Sequence, residues 1–276
     1  MKQELSGVTS VMVPLYNHAT FVEKLLDSLL RSDASKIELL ICDDASTDDS
    51  VEIVSAWLAR NGDRFFQTKF MENMSNIGVT ANLNRLAAEA TGEFITLVAS
   101  DDMLAEKAID LQRDYLQSHL AVDFVFSNCT IMDTDEAVLK PEVASSVNAF
   151  WLRSRTILMC NVLFNWNVIW CRVFGRRDKF LSFGKYVEEH CLEDRWSAIK
   201  IMNTGRYAYL HQVIHLYRYR GLAGHPAINS STARRDFHDI ERRLHREAKG
   251  LLYVLLWVRR LPFKTNRGKW PARLDR

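Results

Sequence analysis

Short apolar runs alternate with amphipathic stretches through the first half of the chain. Val8–Pro14 reads as a strand, and Phe21, Leu25, Leu26, Leu29 and Leu30 recur at helical spacing after it. Ile37–Cys42 is a second buried run. Its polar exit, Asp43-Asp44-Ala45-Ser46-Thr47-Asp48-Asp49-Ser50, predicts a helix from Asp48 through Trp57 and Leu58, capped by Ser46 or Thr47. Phe65–Phe70 predicts a shorter strand. Asn76-Ile77-Gly78 predicts a turn ahead of a helix from Thr80 to Ala90, with Gly92 closing that helix at its C′ position. A strand over Phe94–Ala99, a helix from Ala105 to about Ser118 and a strand over Val122–Asn128 follow. Strand and helix alternating with short connections predict βαβ units: an α/β fold with a mostly parallel, doubly wound sheet and helices on both faces.

The strand at Phe94–Ala99 stops abruptly in Ser100-Asp101-Asp102. Open α/β sheets bind ligands at the carboxyl ends of their strands, and two adjacent carboxylates repel unless a positive group lies between them. A divalent cation holding a diphosphate meets that need, because Mg²⁺ or Mn²⁺ takes hard oxygen ligands and completes its shell from phosphate and water. The competing reading is a strand-end turn whose two Asp cap the helix starting near Ala105. Tyr16-Asn17 and Asp43-Asp44 end the first two strands, so all three polar clusters gather along one edge.

The chain has no GxGxxG after the first strand and no GxxxxGK[ST], which argues against a dinucleotide fold and a P-loop. A net charge of +2 argues against a nucleic-acid partner. That average hides an asymmetry: Lys249–Arg276 holds eight Lys or Arg against Asp275, about +7, so the preceding residues sum to about −5. Five scattered cysteines without a CxxC pair predict reduced thiols in a cytoplasmic protein. The N-terminal residues lack the apolar core of a secretory signal, and no apolar run reaches the length of a membrane span.

Four ordered motifs resemble those of the family 2 glycosyltransferases of the GT-A fold. They are Val13-Pro14-Leu15-Tyr16-Asn17, Cys42-Asp43-Asp44-Ala45-Ser46-Thr47-Asp48, Asn76-Ile77-Gly78 with Asn82, and Gly92-Glu93-Phe94-Ile95 leading to Ser100-Asp101-Asp102. The resemblance implies a nucleotide-diphospho-sugar transferase fold, an inverting reaction and Mn²⁺ or Mg²⁺ as cofactor. It further implies that Pro14, Tyr16 and Asn17 lie by the nucleotide, with Asn76, Gly78 and Asn82 also on the donor side. Asp43 or Asp44 would accept a hydrogen bond from base or ribose, and Asp102 or Asp101 would hold the metal. The family commonly writes the last motif Asp-x-Asp-Asp, and Ala99 stands here at its first position.

Beyond Asn128 the regular pattern dissolves into aromatics: Phe150, Trp151, Phe164, Trp166, Trp170, Phe174, Phe180 and Phe183. These suit sugar stacking, but burial statistics favour a core role. Glu193-Asp194 opens a helical pattern through Ala198, Ile199, Ile201 and Met202; it is good N-terminal capping chemistry, and it also resembles the family motif whose Asp is the catalytic base. Tyr207–Tyr219 predicts one or two strands. Tyr217-Arg218-Tyr219-Arg220-Gly221 resembles a Tyr-Arg-x-His-Gly ending, with Arg220 in the place of His, where its permanent cation would meet the departing diphosphate. His225 is a second candidate contact for metal or phosphate, against a plain surface role.

From Arg234 the pattern is helical, and Gly250–Val258 is a dense apolar segment followed by Arg259-Arg260. The segment is too short to span a bilayer and instead predicts a helix in the membrane interface, or else a helix packed on the catalytic domain or on a dimer partner. The resulting expectation is a GT-A glycosyltransferase domain over residues 1–230 and a C-terminal amphipathic helix with a basic tail over 231–276. Residues 1–128 would form the nucleotide-sugar half of the domain and 129–230 the acceptor half. The enzyme would sit at the inner face of the cell membrane and transfer sugar from a UDP-sugar to a glycan or lipid-linked acceptor. A non-catalytic nucleotide-sugar-binding member is the first alternative. A sugar nucleotidyltransferase ranks below it, since the loop Pro14-Leu15-Tyr16-Asn17-His18 lacks the Gly and basic residues that hold a triphosphate.

Overall fold

A computed structural model of the chain describes residues 5–145, 150–164, 174–188, 193–220, 239–240 and 242–260. The strands are β1 (Leu5–Leu15), β2 (Ile37–Asp43), β3 (Gln67–Glu72), β4 (Gly92–Leu97), β5 (Met103–Leu104), β6 (Phe124–Met132), β7 (Val138–Lys140), β8 (Phe174–Arg176) and β9 (Tyr207–Arg218). The helices are α1 (Ala19–Leu29), α2 (Ser50–Asn61), α3 (Val79–Glu89), α4 (Ala108–Ser118), α5 (Arg155–Phe164), α6 (Arg177–Leu181), α7 (Glu193–Thr204) and α8 (Gly250–Arg260). Among the described residues the sheet runs β3-β2-β1-β4-β8-β6-β9-β5, with β7 alongside β6.

The expected parallel βαβ half is present: β2 and β4 flank β1 in parallel, and β3 extends β2 in parallel. Alternation along β1 separates two cores. Val11, Val13 and Leu15 face Val22, Leu25, Val54 and Trp57 of α1 and α2; Met12 faces Leu83 and Leu86 of α3 and joins the layer that also holds α5, α7 and α8.

The second half departs from the sequence pattern. β6 does not neighbour β4, because β8 lies antiparallel between the two. Gly175 permits that insertion: a Cβ there would meet Phe124 Cδ1 at 2.2 Å and the Asp123 carbonyl oxygen at 2.9 Å. Tyr207–Arg218 forms a single strand, parallel to β6.

Three local expectations are corrected. Gly92 is not a helix C′ residue but the first residue of β4, where a Cβ would lie 2.7 Å from the Val8 carbonyl oxygen and 2.8 Å from the Ser10 nitrogen. Neither Ser46 nor Thr47 caps α2; the residue ahead of the helix is Asp49, and Ser50 N donates to Asp48 Oδ1 at 3.1 Å. Helix α4 begins at Ala108 and not near Ala105, since Met103–Leu104 pairs with β9 and Ala105 N donates to the Ile214 carbonyl at 2.9 Å.

The aromatic segment divides. Phe174, Phe180, Tyr186 and Trp196 are buried, with Tyr186 and Trp196 ring centroids 4.8 Å apart, whereas Phe150, Trp151 and Phe164 are exposed. Trp166 and Trp170 lie outside the described residues, as do His225 and residues 261–276, which carry most of the basic tail. No helix among the described residues is long and apolar enough to cross a membrane.

Candidate active site

The carboxyl ends of β1, β2 and β4 emerge at one edge because the three strands are parallel and in register, with Leu15 opposite Asp43 and Met12 opposite Leu97. Side chains then knit the three exits together. Asn17 Oδ1 accepts from Thr47 N at 2.8 Å, Asn17 N donates to Ser46 Oγ at 2.9 Å, and His18 N donates to Ser50 Oγ at 3.0 Å. On the other side His18 Nδ1 lies 2.7 Å from Ser100 Oγ, in the turn that leads to Asp101 and Asp102. Two non-glycine residues here, Asn17 (φ 51°) and Ala45 (φ 61°), hold left-handed backbone, a strain concentrated where loops converge.

Asp44 shapes the loop. Its Oδ1 accepts from Asn73 Nδ2 at 2.9 Å and Ile77 N at 2.8 Å, and its Oδ2 accepts from Gly78 N at 2.9 Å. Asp43 Oδ2 accepts from Ser46 N at 2.8 Å. Gly78, at φ 84°, ends the turn and opens α3. Asn76 Oδ1 accepts from Gly78 N at 3.2 Å, and buried Asn82 donates to the Cys42 carbonyl at 2.8 Å. The sequence motif Asn76, Gly78 and Asn82 therefore meets the Asp43-Asp44 motif directly. Tyr16 is exposed beside them and Pro14 half-buried, so the Tyr16 ring is available at the rim.

Asp101 and Asp102 do not cap α4, which starts six residues past Asp102. Their partners come from the end of β9. Arg220 Nη2 pairs with Asp101 Oδ2 at 3.0 Å, and the Arg218 backbone N–H donates to Asp102 Oδ1 at 2.9 Å. The guanidinium of Arg218 is buried: Nε donates to the Asp101 carbonyl at 2.8 Å, and Nη1 donates to the carbonyls of Asp133 at 3.2 Å and Thr134 at 3.0 Å. Its Cζ stands 4.7 Å from the centroid of the Phe21 ring. Burial lowers the pKa of His18 from its ordinary value, opposed by Asp101 and Asp48 and aided by Arg220.

Sequence reasoning missed Arg218 and His18. A charged residue ending a twelve-residue strand was a signal for Arg218, since an arginine buried there must find partners. His18 carried none beyond its place after Tyr16-Asn17.

Among the described residues no three His, Cys, Asp or Glu side chains converge as a closed metal cage. The available donors are the two carboxylates, one shared with Arg220. That set fits Mg²⁺ or Mn²⁺ bound through one or two carboxylate oxygens with the rest of the shell drawn from phosphates and water.

Asp194 comes from a different element, α7. It is half-buried in the first turn of α7, and its Oδ1 accepts from Arg195 N at 2.6 Å. Ahead of α7, Tyr186 N donates to Asn84 Oδ1 at 2.8 Å and Thr80 Oγ1 donates to the Glu188 carbonyl at 3.2 Å. Tyr186 and Glu188 are thus fastened to α3, whose N-terminus is the Gly78 turn held by Asp44.

This edge of polar strand ends belongs to a known class. The glycosyl transferase family 2 profile matches residues 10–180, and the chain belongs to that family. Glycosyltransferase GlyG of Streptococcus pneumoniae is 32% identical over 124 residues, 45% of this chain and 40% of GlyG. The GalNAc(5)-diNAcBac-PP-undecaprenol beta-1,3-glucosyltransferase of Campylobacter jejuni is 31% identical over 122 residues, 44% of this chain and 38% of that enzyme. The matched stretch thus spans less than half the length of these relatives. The structure of S. aureus TarS 1-349 superposes with a TM-score of 0.70 at 18% identity, covering 95% of this chain and 74% of that one. Mannosyltransferase PcManGT of Pyrobaculum calidifontis, in complex with GDP-Man and Mn²⁺, gives 0.67 at 19% identity, covering 91% and 69%. Both likenesses establish the GT-A fold.

Proposed function

We propose that this chain is an inverting glycosyltransferase, moving a sugar from a nucleotide diphosphate donor, UDP-sugar first, to a hydroxyl of a glycan or lipid-linked acceptor. The observation that carries the reading is the pairing of Arg220 with Asp101 beside Asp102, at the edge where β1, β2 and β4 all end. A cation paired with one of two adjacent carboxylates suits a diphosphate: Arg220 can turn to the phosphates, and Asp101 and Asp102 can hold Mn²⁺ or Mg²⁺. When bound, the metal neutralises charge on the departing diphosphate. Pro14, Tyr16, Asn17 and Asp43 would line the nucleotide, with Asp44, Asn76, Gly78 and Asn82 keeping that wall in shape.

Asp194 would be the base. It is a half-buried carboxylate oriented by the Arg195 backbone N–H at the start of α7, and a carboxylate is the group that general-base removal of a hydroxyl proton calls for. Asp194 would take the proton of the acceptor hydroxyl as the hydroxyl oxygen attacks the anomeric carbon from the face opposite the diphosphate, whose bond to that carbon breaks. The relatives support the class of acceptor, since the Campylobacter enzyme is named for an undecaprenol-linked glycan.

The test is a donor panel scoring release of UDP, GDP or dTDP with and without Mn²⁺, on wild type and Asp194→Asn. Metal-dependent release that the substitution lowers by about 100-fold is expected, the scale of general-base loss. Equal rates for both proteins would remove Asp194 from the mechanism. A protein that binds donor without turnover would make the chain a non-catalytic member.

A further inference from the structure

Two helices that pack on each other each leave an apolar face uncovered. α8 is apolar almost all round: Leu252 and Leu256, one turn apart, are buried in the core layer with Leu158, Met159, Val162 and Leu163 of α5. On its other side Leu251, Tyr253, Val254 and Trp257 are exposed, Trp257 by 52% and Val254 by 49%. On α5, Ile157 and Phe164, seven residues apart and so on one face, are exposed, and Phe150 and Trp151 just ahead of the helix are exposed by 63% and 56%. A soluble surface seldom gathers so many large apolar side chains, and such a patch marks a docking site.

The charges around α8 say what it docks on. Arg242, Arg243 and Arg246 lie on the helical turns that lead into α8 and line one open surface hollow with Asp239, while Lys249 immediately precedes the helix. Past Trp257 the sequence continues with Arg259, Arg260, Lys264, Arg267, Lys269 and Arg273, interleaved with Phe263 and Trp270. An exposed apolar face carrying Trp and Tyr, bounded at both ends by cations, complements a sheet of negative charge over hydrocarbon. Another protein surface would need matching carboxylates around an apolar pocket; an anionic bilayer provides both everywhere.

We infer that the exposed faces of α8 and α5 form a docking surface for an anionic membrane, with α8 lying in the interface plane. Leu251, Val254 and Trp257 enter the acyl boundary, and the flanking Lys and Arg pair with lipid phosphates. The inference does not depend on the sugar-transfer reading, because binding to lipid needs no turnover.

The full chain is sedimented with phosphatidylcholine vesicles that either contain or lack phosphatidylglycerol, at low and high salt. Binding to the anionic vesicles is expected, weakened by salt and by omission of phosphatidylglycerol. Val254→Glu with Trp257→Glu changes only exposed side chains and should lower the partition coefficient at least about tenfold while leaving the melting temperature unchanged. Arg243→Glu with Arg246→Glu should lower it in a salt-dependent manner. Equal binding of wild type and the Val254/Trp257 variant, or no wild-type binding to anionic vesicles, overturns the inference. So does a stable dimer in solution that the same variant dissociates, which would assign the face to a second copy of the chain.

Discussion

The backbone N–H of Arg218 holds Asp102 Oδ1 at 2.9 Å, while the side chain of the same arginine reaches past it to the carbonyl of Asp101. One residue of β9 therefore sets the position of both adjacent acids. Its Nη1 donates to the carbonyls of Asp133 and Thr134 in the turn between β6 and β7, and its Nη2 donates to Glu136 Oε1 at 3.4 Å. Replacing Arg218 by Ala would leave the buried Asp101 carbonyl without this donor, remove the bonds to the part-buried turn and open a void beneath the site. We predict a loss of stability on the order of 3 kcal/mol by chemical denaturation, because the cost of an unmet buried group exceeds the net worth of the bond. Arg218→Lys restores charge without the planar fork. It should recover part of the stability but leave the metal concentration needed for half-maximal turnover raised, a split that a purely structural arginine would not produce.

Arg220 differs from Arg218 in being only partly buried and in making its ion pair with an acid of the site itself, Asp101 Oδ2, where Arg218 pairs with Glu136. It is accordingly free to exchange that partner for a phosphate. Arg220→Ala should lower turnover on the order of 100-fold, the scale for removal of one preorganised charge-stabilising donor, with little change in melting temperature. Initial rates against donor concentration check this. Unchanged kcat and KM would exclude any contact between Arg220 and the donor.

Alkaline pH should destabilise the fold through its buried thiols. Burial pushes Cys129 up to about 12 and Cys42 up to about 11 from an ordinary 9.0, the latter also raised by Asp44 and Asp43 against the pull of Arg85. The folded state thus keeps protons that the unfolded chain gives up. The associated stability is fully present below pH 9.0 and is lost as pH rises from there toward the folded values. Melting temperature followed upward from pH 9.0 should fall, and Cys129→Ala should flatten that fall while costing stability at neutral pH. A slope identical in the two proteins would remove the thiol from the account. Native protein should also resist alkylation at Cys42 and Cys129, because the thiolate is the reactive species and both side chains are buried.

The parallel half of the sheet was legible in the chain because its signals are local. Apolar runs of strand length, helical periodicity between them and polar clusters at the strand exits need only near neighbours in sequence. The motifs around Asn17, Asp43-Asp44, Gly78 and Asp101-Asp102 could therefore be read in order and assigned to one edge. Gly92 shows where local reading fails: a glycine after a helix suggests a C′ turn, yet here it exists for the close passage of Val8 and Ser10 on the neighbouring strand.

The chain by itself thus determined the α/β class, the first four strands and the acids at their ends, since periodicity and turn chemistry are properties of adjacent residues. Only the folded molecule decided that three residues of β8 enter between β4 and β6, and that Arg218 at the end of β9 and Arg220 just past it, more than a hundred residues later, secure Asp102 and Asp101. The reason is physical: a buried charge must find its partners wherever packing places them, and no spacing rule in the sequence records which distant backbone that will be.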